Sequence, residues 1–394
     1  MKVLSVVGAR PQFVKLGPIA RAIGRRNSDG SLAINHTVIH TGQHFDPNMS
    51  QVFFDCIGLP EPDLNLQVSG GSHGSQTGRM LELLDPVMQE RKPDLVLVYG
   101  DTNSTLAGVL SAVKLHIPVG HVEAGLRSYR KAMPEEVNRV FADHASTLLF
   151  CPTASAVRNL RREGLESIQW RETATTRREE ATPEASVDRP WILNVGDVMC
   201  DATRQHAERS MEVSNIQHEL GLASQDYLLM TVHRAENTDN REKLAAILLA
   251  AETLARETIP VVLPLHPRTR AALERFGEMR CVDRLKLIDA VSYSDMLALE
   301  SRARVVLTDS GGVQKEAFFL GVPCVTLRNE TEWTELVECG WNKLAGTATD
   351  AILEAARASL AGPLDSSDEG LFGDGQAAER IVDACLRWWD RVHS

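Results

Sequence analysis

Short apolar runs that stop at Gly, Asp, Glu or a cation recur along this chain, and each is followed by a stretch with helical periodicity. That alternation specifies parallel sheets covered by helices, because a parallel strand needs a long crossover before the next one can pair. Lys2–Gly8, His36–Thr41, Leu95–Gly100, Val119–Glu123 and Leu148–Cys151 read as strands, with helices over Pro18–Arg25 and Asn103–Lys114. Near Trp191 the pattern starts again. Tyr227–His233, Val261–Leu265, Leu285–Asp289, Val305–Thr308 and Val322–Leu327 are the second set of strands, with helices over Lys243–Glu257 and Val313–Leu320. At 394 residues the chain exceeds what one hydrophobic core organises. Two doubly wound α/β domains of Rossmann type are expected, 1–190 and 191–375, with a helix over 376–394 packing back on the first. Ligands of such sheets sit outside the carboxyl ends of the strands, so the active site is expected in the cleft between the domains.

Bulk properties narrow the function classes. A net charge of −11 argues against a nucleic-acid or anionic-membrane surface. The seven cysteines are widely spaced with no CxxC pair, which reads as reduced thiols of a cytoplasmic protein. No apolar stretch approaches the roughly 18 residues of a membrane span, and the N-terminal run is too short for a secretory signal. Arg161–Pro190 has almost no apolar periodicity and reads as an inserted loop.

Chemistry concentrates where strands end. Gly8 follows the first strand, with Arg10 and Lys15 just beyond it, as a phosphate-approach turn requires. Thr308-Asp309-Ser310-Gly311-Gly312 runs from a strand into a helix, where free backbone N–H groups and the Ser310 hydroxyl form a diphosphate cradle. Glu316, one to two turns further on, is placed to accept hydrogen bonds from ribose hydroxyls. Asp101 and Glu123 end two neighbouring strands, and Pro134-Glu135-Glu136-Val-Asn138-Arg139 supplies further carboxylates and a cation. Clustered acids with adjacent arginines let acid and base coexist at neutral pH. His233 and His266 follow strands of the second domain, and His233 beside Arg234 is placed to touch a phosphate. His36, His40 and His44 lie along a strand and turn, where that spacing does not gather metal ligands, so no metal is expected.

Gly8-Ala-Arg-Pro-Gln, Thr41-Gly-Gln-His, Gly100-Asp-Thr, His121-Val-Glu-Ala-Gly-Leu-Arg, Pro134-Glu-Glu-Val-Asn-Arg, Val232-His-Arg-Ala-Glu-Asn, Asp309-Ser-Gly-Gly-Val-Gln-Lys-Glu and Gly373-Asp-Gly together resemble, in order, the UDP-N-acetylglucosamine 2-epimerases. The resemblance covers nearly the whole chain except Arg161–Pro190. It implies a GT-B-like fold, a UDP-sugar substrate, a homodimer and no cofactor. It also implies a UDP-binding set of Arg10, His233, Ser310, Gly311, Gly312 and Glu316, and a catalytic set of Lys15, Asp101, Glu123, Glu135 and Arg139, with His233 joining it. The implied chemistry is elimination of UDP to a 2-acetamidoglucal and re-addition with C2 inverted.

Arg328-Asn-Glu-Thr-Glu-Trp333-Thr-Glu and Gly70-Gly-Ser-His-Gly-Ser-Gln-Thr-Gly-Arg79 look closer to the branch acting on UDP-2,3-diacetamido-2,3-dideoxyglucuronate. In the ordinary branch a second UDP-sugar activates the enzyme through positions that fall at Gln43, Arg79 and His266, and here Asp46-Pro47 and Pro267 alter their surroundings. A hydrolysing epimerase, a GT-B glycosyltransferase and a UDP-sugar-binding regulatory module are the competing readings.

Overall fold

Strands β1 (Lys2–Val7), β2 (Asn35–His40), β3 (Leu64–Asn65), β4 (Leu95–Tyr99), β5 (Val119–Val122), β6 (Leu148–Cys151) and β7 (Trp191–Asn194) form a sheet in the order β3-β2-β1-β4-β5-β6-β7. A second sheet has the order β10-β9-β8-β11-β12-β13, from β8 (Leu228–Thr231), β9 (Val261–Leu265), β10 (Lys286–Asp289), β11 (Val305–Thr308), β12 (Cys324–Thr326) and β13 (Asn342–Leu344). Every pairing in both is parallel. The structure is a computed structural model and describes residues 1–30, 33–43, 59, 61–165, 185–277, 285–361 and 370–394. Two compact units result, one of Met1–Ala202 with Gly370–Ser394 and one of Thr203–Glu369.

The central strands are apolar along their length because helices cover both faces, so side chains pointing either way leave water. All five residues of β4 are buried, as are all five of β9. One cluster in the first unit joins Leu4, Val6, Val96 and Val98 to Met80, Leu84 and Met88 of the His73–Arg91 helix. In the second unit Leu228, Met230, Leu263 and Leu307 pack on Leu244, Ile247, Leu248 and Leu254 of the Arg241–Glu257 helix. Each sheet order reverses at one place, between β1 and β4 and between β8 and β11. In open α/β sheets ligands bind outside the strand ends at such reversals.

The structure departs from the sequence expectation in several places. The units divide at Ala202/Thr203 rather than at 190/191, because Trp191–Asn194 pairs with β6 and is the seventh strand of the first sheet. Its apolar run carries no information about which sheet receives it. The first helix begins at Arg10, directly after β1, and runs through Pro18 to Ser28. Strands β3 and β13 have two and three residues, too few to show a period. Of the inserted stretch, 166–184 lies outside the described residues.

The Ala377–His393 helix belongs to the first unit, where Arg25 pairs with Glu379 and Arg26 with Asp383. Asp201 accepts from the Ala377 and Ala378 backbone N–H groups at 3.2 and 2.8 Å and so caps that helix. Burial pushes the Asp201 carboxyl up to about 6 against those two hydrogen bonds, with Asp197 and Asp374 adding repulsion. A folded-state pKa above the unfolded value of about 3.9 means that the group's contribution is full below that value and is lost as pH rises through about 6. Relative to Asp201→Asn, wild-type stability should therefore fall by up to about 2–3 kcal/mol between pH 4 and 7. Urea melts of both proteins across that range check it, and parallel curves would refute it.

Candidate active site

In the first unit, Gln12 ties the two sides of the switch point together. Its Oε1 accepts from the Gly8 and Ala9 N–H groups at 2.8 and 3.0 Å, while its Nε2 donates to Tyr99 O and Thr105 Oγ1 at 2.8 and 3.0 Å. The loop after β1 is thereby fastened to the end of β4. Gly8 is required there, since a Cβ would lie 1.9 Å from Thr41 Oγ1 and 2.3 Å from Ser104 Oγ.

Beside this staple, Lys15 reaches from the first helix to Glu123 at the end of β5, and both side chains are nearly buried. Glu123 holds φ +71°, a left-handed conformation that costs a non-glycine residue free energy and aims its carboxylate at Lys15. A Cβ on Gly100 would stand 3.1 Å from Glu123 Oε2 and 3.2 Å from Lys15 Nζ, so the pair lies against the Gly100-Asp101 turn. Asp101 is gripped by Arg139, whose other edge donates to Glu136 Oε2 at 2.9 Å. Burial works against the Arg139 charge, but Asp101, Glu136 and Glu123 outweigh it and hold its pKa above the ordinary value. Glu136 also accepts from Ser128 N, Ser128 Oγ and Tyr129 N, each at 2.9 Å. Burial would raise that carboxyl, yet these donors and Arg139 bring it below its usual range.

A second buried set supports the same edge. His121 bonds Asp143 through Nδ1 and the Gly100 carbonyl through Nε2, both at 2.7 Å. Asp143 also receives Arg127 at 2.6 Å and the Gly125 N–H at 3.1 Å. Although burial favours its neutral form, His121 and Arg127 keep the Asp143 carboxyl depressed. The His121 ring thus fixes the carbonyl from which the Asp101 turn departs.

The second unit builds its switch point around Asp309, which is fully buried. Its carboxylate accepts from the backbone N–H groups of His233 and Arg234 at 3.0 Å, from Asn237 Nδ2 at 3.0 Å and faces His233 Nδ1 at 3.1 Å. Asn237 Nδ2 also donates to Leu327 O at 3.1 Å, so the loops after β8, β11 and β12 are joined through two side chains. Burial would raise the Asp309 carboxyl, and these donors lower it instead. Ser310 caps the following Gly311–Phe319 helix. A Cβ at Gly311 would meet Glu332 Oε1 at 2.2 Å, whereas at Gly312 the nearest atom is Ser310 Oγ at 3.8 Å. A side chain at 311 would therefore have to displace the Glu332 carboxylate, whereas a Cβ at 312 would displace nothing. Glu316, nearly buried, accepts from Tyr293 OH at 3.0 Å. Behind it Glu300 is wholly buried, and burial, then the Glu316 charge, pushes its carboxyl well above the carboxylate range.

Of the residues singled out from sequence, Lys15, Glu123, Asp101 and Arg139 meet at one strand edge. Glu135 is exposed on the Arg139 helix and Arg10 is exposed in the first turn after β1. His233, Ser310, Gly311, Gly312 and Glu316 surround the Asp309 switch point. Gln43 Oε1 accepts from Ser104 N and Oγ at 3.0 and 2.7 Å, and Arg79 is held by the carbonyls of Ser69 and Gly70. His266 caps its helix through Nδ1, its ring 5.5 Å from that of His233. Burial, then His233 and Arg268, hold the His266 pKa below the ordinary value. Asp46 and Pro47, like His44, lie outside the described residues.

Sequence reasoning assigned no individual role to Gln12, Glu136, Asp143, Asp309 or Glu332, although Glu136 and Asp309 lie within motifs it singled out. A signal existed for two of them. In the Pro134–Ala145 helix Glu136, Asn138 and Asp143 face inward while Val137 and Phe141 face water, an inverted polarity that marks a buried polar cluster.

Comparison with known proteins follows the same lines. The profile of the UDP-N-acetylglucosamine 2-epimerase family matches residues 27–386. The UDP-2,3-diacetamido-2,3-dideoxy-D-glucuronate 2-epimerase of Pseudomonas aeruginosa is 48% identical over 384 residues, covering 97% of this chain and 99% of that protein. The UDP-N-acetylglucosamine 2-epimerase of Methanocaldococcus jannaschii is 40% identical over 388 residues, covering 97% and 98%. A crystal structure from M. jannaschii in complex with UDP-GlcNAc and UDP superposes with a TM-score of 0.80 at 40% identity, over 98% of this chain and 100% of that one. The fold is thus α/β and GT-B-like, with two Rossmann-type units.

Because Asp309 satisfies donors from three loops, Asp309→Asn turns an amide N–H₂ toward N–H groups it cannot accept from. The substitution should cost about 2–4 kcal/mol of unfolding free energy. Chemical denaturation checks this, and a loss under about 0.5 kcal/mol, the size of an ordinary surface substitution, would show that the carboxylate is not the tie.

Proposed function

Because the chain belongs to the UDP-N-acetylglucosamine 2-epimerase family, we propose that it inverts C2 of a UDP-N-acetylhexosamine, interconverting UDP-GlcNAc and UDP-ManNAc. The observation that carries this reading is the Lys15–Glu123 pair set against the Asp101–Arg139 pair at one strand edge. A glycosyltransferase has no need of several carboxylates around the donor ring. The nucleotide half of the site is assigned mainly to the second unit, with the diphosphate at Ser310, Gly311 and Gly312, the ribose at Glu316 and His233 on phosphate oxygens, and Arg10 of the first unit is assigned to the phosphates as well. The sugar half is assigned to Asp101, Glu123, Glu135, Lys15 and Arg139.

The reaction needs elimination because C2 bears a proton with no adjacent carbonyl carbon to acidify it. A carboxylate takes that proton, the C1–O bond breaks, its electron pair leaves on the β-phosphate oxygen, and C1=C2 forms. On return, the UDP oxygen attacks C1 and an acid protonates C2 from the opposite face. Backbone N–H groups and cations stabilise the departing diphosphate, and carboxylates stabilise positive charge developing at C1. The 48% identity to the P. aeruginosa enzyme supports a second reading, in which the sugar is 2,3-diacetamido-2,3-dideoxyglucuronate. With either substrate go a homodimer, work in the cytoplasm and supply of sugars for cell-surface polysaccharide.

The two halves should separate by mutation. Asp101→Asn should lower kcat by at least about 10²-fold while UDP affinity stays within about twofold, and Glu316→Ala should weaken UDP about tenfold. Calorimetry in which Asp101→Asn loses UDP affinity as badly as Glu316→Ala would refute the division.

Oxygen-18 in the C1–O–P bridge should scramble into non-bridging β-phosphate positions, and product formed in D2O should carry deuterium at C2. C2 inversion without deuterium incorporation would exclude elimination. The measurement is run with both candidate sugars, and turnover of neither would sink the epimerase assignment. A free 2-epimeric sugar with stoichiometric UDP would place the enzyme in the hydrolysing class.

A further inference from the structure

Glu332 is an acidic side chain in a place that the proposed nucleotide reading reserves for an anion. Its Oε1 lies 2.2 Å from where a Gly311 Cβ would stand, so the carboxylate rests against the first turn of the Gly311–Phe319 helix. That end of the helix carries partial positive charge. The same carboxylate receives Arg328 Nη1 on Oε2 at 2.8 Å and has Arg234 Nη2 3.6 Å from Oε1. Burial would raise its pKa, but Arg328 and then Arg234 hold it low, so it is charged at neutral pH. Arg328 is itself nearly buried and shared with Glu236.

The register of a bound nucleotide places the conflict at one phosphate. With ribose at Glu316, the helix start at Gly311 is five residues away, about 7.5 Å along the axis. The α-phosphate is the one nearer ribose, and the β-phosphate is the one that reaches Gly311. We propose that Glu332 is an internal competitor for the β-phosphate, resting on the helix start in the free protein and withdrawing toward Arg328 when a nucleoside diphosphate binds. The inference depends on the nucleotide reading above. Its consequence is an affinity-setting residue that weakens UDP without touching uridine or ribose, so that UDP released by elimination is not held too tightly to re-add or leave.

The test is calorimetric titration of the full chain with UDP and with UMP. Glu332→Gln keeps the shape and removes the charge, and it should bind UDP about five- to tenfold more tightly while UMP affinity stays within about twofold. Equal tightening of both nucleotides would indicate a general field effect and overturn the proposal, as would unchanged or weaker UDP binding. Glu332→Asp keeps the charge for Arg328 but is one methylene shorter, so it should also tighten UDP even if the Gln variant does not fold. Gly312→Val, at a position where a Cβ would meet nothing nearer than Ser310 Oγ at 3.8 Å, tests the underlying reading separately. If it does not weaken UDP, the nucleotide is not at this helix. If it does, while neither Glu332 variant tightens UDP, the competitor alone is wrong.

Discussion

Both units rest on the same physical constraint: a carboxylate that stays charged when taken out of water must be met by hydrogen-bond donors. Asp309 meets it with two backbone N–H groups, Asn237 and the His233 ring. Asp143 meets it with His121, Arg127 and the Gly125 N–H. An unsatisfied buried charge is costly, so each of these groups forces several loops into one arrangement. Loops that would otherwise be free to drift are thereby held in register with rigid strands. The side chains at those strand ends inherit that rigidity.

The donors that satisfy these acids also divide the charge of the first unit unevenly. Arg139 is shared between the buried Glu136 and the partly exposed Asp101, while Lys15 faces Glu123. Neighbouring carboxylates therefore have different cations and different access to water, the circumstance in which like groups take unlike roles. Glycine completes the arrangement where atoms must approach closely. Gly8 admits Thr41 and Ser104, Gly100 admits the Lys15–Glu123 pair, and Gly311 admits Glu332. At Gly312 a Cβ would meet nothing nearer than Ser310 Oγ at 3.8 Å among the described residues, so packing does not require glycine there.

Much of the architecture was legible along the chain. Apolar runs with helical spacers dictate parallel sheets, and strand-end residues such as Asp101, Glu123 and Ser310 are local facts of spacing. Strand membership was not legible in the same way, because Trp191–Asn194 has the same apolar character whichever sheet pairs with it. The Pro134–Ala145 helix was legible only in part: its inverted polarity signals a buried polar cluster, but the partners that satisfy Glu136 and Asp143 are set by tertiary contacts.

What the sequence by itself determined is therefore the fold class, the strand-end location of the candidate site residues and the glycines at the turns, since each follows from periodicity within a few residues. What only the tertiary structure decided is which charges meet. Lys15 lies 108 residues from Glu123, Arg139 lies 38 from Asp101, and His233 lies 76 from Asp309. Such pairings depend on strand order, and strand order comes from minimising the free energy of whole sheets rather than from any local pattern. The same holds for Glu332 against Gly311, where two loops after adjacent strands converge and their side chains share one space.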